Sequence, residues 1–282
     1  MRSRIGQERK NRGLDAMSVE QRFVGQTALV TGAAGNIGLA VATRLAREGA
    51  RLVLLDLDGD KLGHARDEVA TLGGKVETVL CDVTDYKSVE AAVATAEAAL
   101  GPVGLLFNNA GYQGAFAPIH EYPVEDFERV VQIDLIGAFH VLRAVSRRMV
   151  AQKFGRIVNT ASMAGLQGPP NMGAYGASKF GVVGLTQVAS KDLAPHNIRV
   201  NGIAPALMGP GFMWDRQTEL QARTNTQYFS TDPEEVKKQM LGGVPMRRLG
   251  AMEEIPGVVS FLLSDDSSYI TGVTLPISGG IV

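Results

Sequence analysis

The chain has 282 residues, 45% of them hydrophobic, and a formal net charge of −1. That length can bury a sizeable core, while the near-balanced charge leaves no electrostatic footprint for nucleic acid or an anionic membrane surface. Cys81 is the one cysteine, so no internal disulfide can form, and no run approaches the ~18 apolar residues of a membrane span; a reducing, cytoplasmic setting is expected.

Residues 1–22 are polar and basic and lack the apolar segment of a signal peptide. They read as a disordered extension or a misassigned start, with Met17 an alternative first residue; an interaction arm is the sharper alternative. From Thr27 onward short apolar runs alternate with longer helical stretches. The predicted strands are Thr27–Thr31, Arg51–Asp56, Lys75–Asp82, Val103–Asn108, Arg156–Thr160, Ile198–Ala204 and Ile270–Pro276. The predicted helices are Ile37–Glu48, Gly59–Leu72, Val89–Leu100, Val124–Val150, Ala174–Leu193 and Glu253–Ser264. Continuous apolar runs of this length suit strands buried on both faces. The alternation predicts an α/β fold, a Rossmann-type doubly wound sheet of about seven parallel strands with helices on both faces. One domain over residues 23–282 is expected. The stretch from Met208 to about Val244, rich in Gly, Pro, Met and aromatics, is expected to hold short helices at Trp214–Arg223 and Pro233–Leu241 and to act as a lid.

In such a sheet the ligand crevice lies at the carboxyl ends of the strands, and the informative residues fall there. The first strand runs into Thr31-Gly-Ala-Ala-Gly-Asn-Ile-Gly38, which opens a helix. Free backbone N–H groups and the helix dipole make that turn an anion site, through Gly32, Gly35, Asn36, Ile37 and Gly38. Asp56 ends the second strand, 18 residues after Gly38. A carboxylate there accepts hydrogen bonds from the adenosine ribose hydroxyls of NAD and repels the 2′-phosphate of NADP; Leu57 beside it is not basic, so NAD is the expected cofactor. Asp82 and Val83 end the third strand and are placed to bracket the adenine. Asn108-Asn109-Ala110-Gly111 ends the fourth, where small residues let backbone approach the cofactor.

Tyr175 and Lys179 share one helix face, and Ser162 stands thirteen residues before the tyrosine. A phenol is a poor base at neutral pH, but a nearby ammonium favours the phenolate and a neighbouring hydroxyl can hold a substrate oxygen. By itself the Tyr-x-x-x-Lys spacing is more often the mark of an ordinary amphipathic helix. His64, His120, His140 and His196 are scattered with no metal-ligand spacing, so a metal-independent enzyme is expected.

Taken together, the Thr31–Gly38 loop, Asp82-Val83, Asn108-Asn-Ala-Gly111, Ser162 and Tyr175-x-x-x-Lys179 resemble the short-chain dehydrogenase/reductase family, over about Phe23 to the C-terminus. Phe107–Pro118, Ala161–Gly165, Gly168–Met172, Met208–Trp214 and Gln227–Pro233 resemble its bacterial NAD-dependent polyol dehydrogenases. The resemblance implies oxidation of a polyol to a ketose, xylitol to xylulose, by a homotetramer acting on small alcohols and ketones. Tyr175 would be the general base, Lys179 would favour its phenolate and hold the nicotinamide ribose, and Ser162 would orient the substrate oxygen. Pro205 and Leu207 would join the cofactor contacts. Another sugar alcohol, a secondary alcohol or a 3-oxoacyl thioester is the alternative substrate, and a non-catalytic NAD sensor the alternative function.

Three positions depart from the family pattern. Asn36 stands where glycine is usual. Asp134 stands where the family carries the asparagine of a catalytic tetrad, adding charge near Lys179. Ala206 follows Pro205 where glycine is usual, and would cost stability if that site needs a positive φ. For the substrate, Gln113 and Asn171 are the polar candidates. Met163, Met172, Met208, Met213, Phe212 and Trp214 are either core filling or pocket walls.

Overall fold

The computed structural model describes residues 21–281; the predicted N-terminal extension therefore falls almost wholly outside the described residues. In chain order the main elements are β1 (Thr27–Thr31), α1 (Asn36–Arg47), β2 (Arg51–Asp56), α2 (Gly59–Ala70), β3 (Val76–Leu80), α3 (Tyr86–Leu100), β4 (Val103–Asn108), α4 (Val124–Val131), α5 (Ala138–Gln152), β5 (Gly155–Thr160), α6 (Gly173–Leu193), β6 (Ile198–Pro205), α7 (Phe212–Arg223), α8 (Pro233–Gly242), α9 (Pro256–Leu263) and β7 (Thr274–Ile277). The seven strands form one parallel sheet in the order β3-β2-β1-β4-β5-β6-β7, the predicted doubly wound architecture.

Side chains alternate along each strand and so supply two cores. Val30, Leu52, Leu54, Leu105 and Phe107 pack toward α1, α2 and α9 through Val41, Leu45, Leu62 and Val259. Their neighbours Leu29, Val53, Leu55, Leu106 and Ile157 face the opposite way, onto α3, α5 and α6 through Val93, Val141, Val145 and Ala189. With both faces covered, the strands must be apolar throughout, which is why they read as continuous runs.

The topology reverses at β1, which pairs with β2 on one side and β4 on the other. The loops after β1 and β4 therefore diverge at the carboxyl edge and open a crevice.

Two expectations need correction. The stretch Val124–Val150 is not one helix: a turn of π-helix over Gln132–Gly137 separates α4 from α5. The wider turn inserts an extra residue, as π-bulges do near functional sites, and it buries Asp134. The run Ile270–Pro276 is strand only from Thr274. Ahead of it, the carbonyl of Ile270 accepts from the Asn201 side chain, and Val273 N–H donates back to Asn201 Oδ1, so those groups are turned from the ladder.

Candidate active site

The glycine loop has its shape for steric reasons. Gly32 has φ +61°, and a Cβ there would lie 3.0 Å from Ala110 Cα, so the loop after β1 packs directly on the loop after β4. A Cβ on Gly38 would meet Gly32 O at 2.1 Å, so only glycine lets α1 start this close to β1. Thr31 Oγ1 ties the two loops together by accepting from the N–H groups of Asn109 and Ala110, at 2.8 and 3.0 Å.

The start of α1 suits a phosphate. Its N-cap, Gly35, gives no side-chain hydrogen bond, and the first turn holds no acidic residue. By contrast, α2 and α3 are capped by Asp58 and Asp85. The first N–H groups of α1 thus have no side-chain acceptor and face the crevice, where an anion can satisfy them. Asp56 is half-buried across from this turn. Its Oδ2 accepts from Ala34 N–H at 3.0 Å, and its Oδ1 from the N–H groups of Leu57 and Asp58 at 2.8 and 3.2 Å. Those bonds fix the carboxylate at the lining of the crevice, where it could accept from a diol.

The crevice continues as one cleft with a cavity volume of about 1270 Å³. It brings together nearly every residue singled out in the sequence: the loop residues Gly32, Gly35, Asn36 and Ile37; Asp56, Asp82 and Val83; Asn109, Ala110 and Gly111; and the chemistry-bearing Asp134, Ser162, Tyr175 and Lys179. Pro205 and Leu207 line it as well, as do Gln113, Met163, Met208 and Trp214. Gly38 does not; it acts on the site through helix packing.

Ser162 ends the turn after β5. Its Oγ accepts from Ala164 N–H at 3.1 Å and lies 3.4 Å from the carbonyl of Pro205. Tyr175 and Lys179 rise from α6 one turn apart, with the Lys179 nitrogen 5.4 Å from the centre of the Tyr175 ring. Lys179 is 3% exposed and Asp134 is wholly buried, and the two form an ion pair, Nζ to Oδ2, of 3.1 Å. Lys179 also donates to the carbonyl of Thr160 at 3.1 Å, and Asp134 Oδ1 accepts from Tyr112 N–H at 2.6 Å. Gly111 makes room for the pair, since a Cβ there would sit 3.2 Å from Asp134 Oδ2 and 3.3 Å from Lys179 Nζ. Burial pushes the Asp134 carboxyl up from its ordinary value, against the pull of Lys179. Burial pulls the Lys179 ammonium down, but the charges of Asp134 and Tyr175 outweigh it, and its net shift is upward.

Asn171 departs from its expected role. Its backbone sits at φ +66°, and its amide donates to Gln221, Thr224 and Thr226 at 2.8, 3.2 and 3.2 Å. The side chain is buried against the end of α7, so it anchors the excursion rather than facing a substrate. Glycine at position 171 would keep the left-handed φ without strain. Losing the amide should cost α7 docking about 1 kcal/mol, giving a roughly fivefold rise in substrate KM. Cofactor Kd, read by titration, should not change. Gln113 does line the cleft, but both ends of its amide already meet α7: Nε2 donates to Gln217, and Oε1 accepts from Arg216, each at 3.3 Å. Arg216 also donates to the carbonyl of Gly114 at 3.0 Å. This clasp between α7 and the loop after β4 had no sequence signal, because Arg216 and Gln113 are about a hundred residues apart. The walls contributed by Phe229, Met252 and Ile281 come from equally remote segments. Ala206 is not among the described residues with positive φ, so alanine costs nothing there.

Among the described residues, no cluster of three or more His, Cys, Asp or Glu could hold a metal ion, and no helix is long and apolar enough to cross a membrane.

Comparison with known proteins places this geometry. The family profile for short chain dehydrogenases matches residues 26–221. A crystal structure of NAD⁺-bound xylitol dehydrogenase superimposes with a TM-score of 0.91 at 58% identity, covering 92% of this chain and 100% of that one. A 2-dehydro-3-deoxy-L-rhamnonate dehydrogenase (NAD(+)) from Sphingomonas sp. (strain SKA58) is 37% identical over 92% of this chain and 96% of its own. A sorbitol dehydrogenase from Cereibacter sphaeroides is 36% identical over 92% of this chain and 98% of its own. The cleft is that of an NAD-dependent oxidoreductase acting on CH–OH groups, and the chain belongs to the short-chain dehydrogenase family.

Proposed function

We propose that this enzyme oxidises a neutral polyol to a ketose, with xylitol to xylulose the leading reaction. The observation that carries this reading is the make-up of the substrate end of the cleft. Around Ser162 and Tyr175 its walls are the apolar Met163, Met172, Met208 and Trp214, with the neutral amides of Gln113 and Gln217 among them. Of the cations at the cleft, Lys179 is paired with Asp134 and Lys61 with Asp58 at 2.8 Å, Arg129 stacks 4.9 Å over the Tyr112 ring, and Arg216 is engaged by Gln113 and the carbonyl of Gly114. Amides suit hydroxyls, whereas a sugar acid would call for a guanidinium or ammonium directed at it rather than held on a ring, an amide or a carbonyl. The 58% identity with a xylitol dehydrogenase supports the same class.

In this reading Tyr175 takes the proton from the substrate hydroxyl as general base. Ser162 holds that oxygen by hydrogen bond and fixes the carbinol carbon. Lys179, anchored by Thr160 and Asp134, binds the nicotinamide ribose. NAD supplies the hydride acceptor. The cleft is lined by α7 through Trp214 and Gln217 and by α8 through Met240, which would cover a bound substrate. A homotetramer in a reducing cytoplasm completes the proposal; the single, buried Cys81 is compatible with that compartment.

Initial rates of NADH formation across xylitol, other sugar alcohols, simple secondary alcohols and aldonic acids test the proposal. The kcat/KM for xylitol should exceed that for any aldonate by about a hundredfold, the penalty for placing a carboxylate against apolar and amide walls with no cation directed at it. Preference for an aldonate or an unfunctionalised secondary alcohol would overturn it. The relatives act on differing substrates, including a deoxy-sugar acid, so this measurement discriminates directly.

A further inference from the structure

We infer that Asp134 is a positioning residue whose buried negative charge selectively favours the oxidised form of the bound cofactor. The inference rests on the NAD-binding reading above and concerns which redox state the protein prefers.

Among the described residues Lys179 is the only cation in contact with this carboxylate, and both side chains are removed from solvent, so screening is weak. Both reach the lining of the same cleft. A lone buried ammonium at that end would oppose the positively charged oxidised nicotinamide while leaving the neutral reduced ring unaffected. The carboxylate cancels that opposition. Its second oxygen, held by Tyr112 N–H, fixes the charge beside the Asn109–Gly111 backbone, which lines the cofactor crevice. Its role in positioning Lys179 acts on both redox forms alike; its charge does not. A group that interacts differently with two states shifts the balance between them by that difference. At an effective dielectric of about 20, one charge across such a site alters an equilibrium by about a factor of ten.

Asp134→Asn keeps the size of the side chain and the acceptor for Tyr112 N–H while removing the charge. Dissociation constants for NADH, by fluorescence titration, and for NAD⁺, by displacement of NADH, are measured on intact protein and variant. The ratio Kd(NAD⁺)/Kd(NADH) should rise about tenfold in the variant, chiefly through weaker NAD⁺ binding. A merely structural role would weaken both forms together; an unchanged ratio, or a change confined to NADH, overturns the inference. Asp134→Ser, smaller and also uncharged, carries the same expectation should the asparagine variant fail to fold. Failure of the intact protein to bind either cofactor form would remove the NAD-binding reading, and this inference with it.

Discussion

Tyr175→Phe should lower kcat by about a thousandfold and leave cofactor affinity within about twofold of the intact enzyme. The ring is half-buried and packs beside Ala174 and Tyr122, a cluster that a phenylalanine ring preserves. Only the hydroxyl is lost, the group proposed to accept the substrate proton. Lys179 is still held by Asp134 and Thr160, because neither bond involves the phenol. The expected pattern is therefore a collapse in turnover with an unchanged melting temperature and a normal NADH titration. A residual rate within tenfold of the intact enzyme would assign the base to another group, and Asp134, wholly buried and adjoining Lys179, would be the first to examine. The experiment thus also separates the enzymatic reading from a sensor that binds the cofactor without turnover.

The sequence was most legible where one local pattern has one physical cause. The glycine turn after β1 must pack on Asn109–Ala110 and admit the start of α1, so its glycines carry their reason in their spacing. The β–α alternation gave the parallel sheet, since buried strands cannot alternate polar and apolar. Legibility failed where tertiary partners override local pattern. Val124–Val150 has continuous helical periodicity, and nothing local announces that the helix widens at Gln132–Gly137 to turn Asp134 inward. The aspartate was visible as a departure from the family; its 3.1 Å pair with Lys179 was not, because the partners come from separate helices. Asn171 misled for a related reason: a polar residue beside a pocket suggests a ligand contact, yet its amide is directed at α7. The clasp of Gln113, Gln217 and Arg216 lies equally beyond a one-dimensional reading.

Asp56→Ser combined with Leu57→Arg should raise the NADP-to-NAD ratio of kcat/KM by about a thousandfold, through removal of one repulsion and addition of one attraction. Asp56 stands at the carboxyl end of β2, where its negative charge would meet a 2′-phosphate directly, and like-charge juxtaposition costs several kcal/mol in a partly desolvated site. Leu57 is 71% exposed, so an arginine there displaces no core contact and can reach over the ribose position. The change also has a structural cost. The carboxylate of Asp56 accepts three backbone N–H groups, from Ala34, Leu57 and Asp58, and a serine hydroxyl cannot satisfy them all. Stability should fall by about 1–2 kcal/mol, seen as a lower denaturation midpoint. Because that loss weakens both cofactors alike, the ratio of specificity constants isolates the charge effect from the loosened loop. A ratio unchanged despite a folded variant would mean that Asp56 serves the loop alone, and that discrimination between the cofactors resides elsewhere along the cleft.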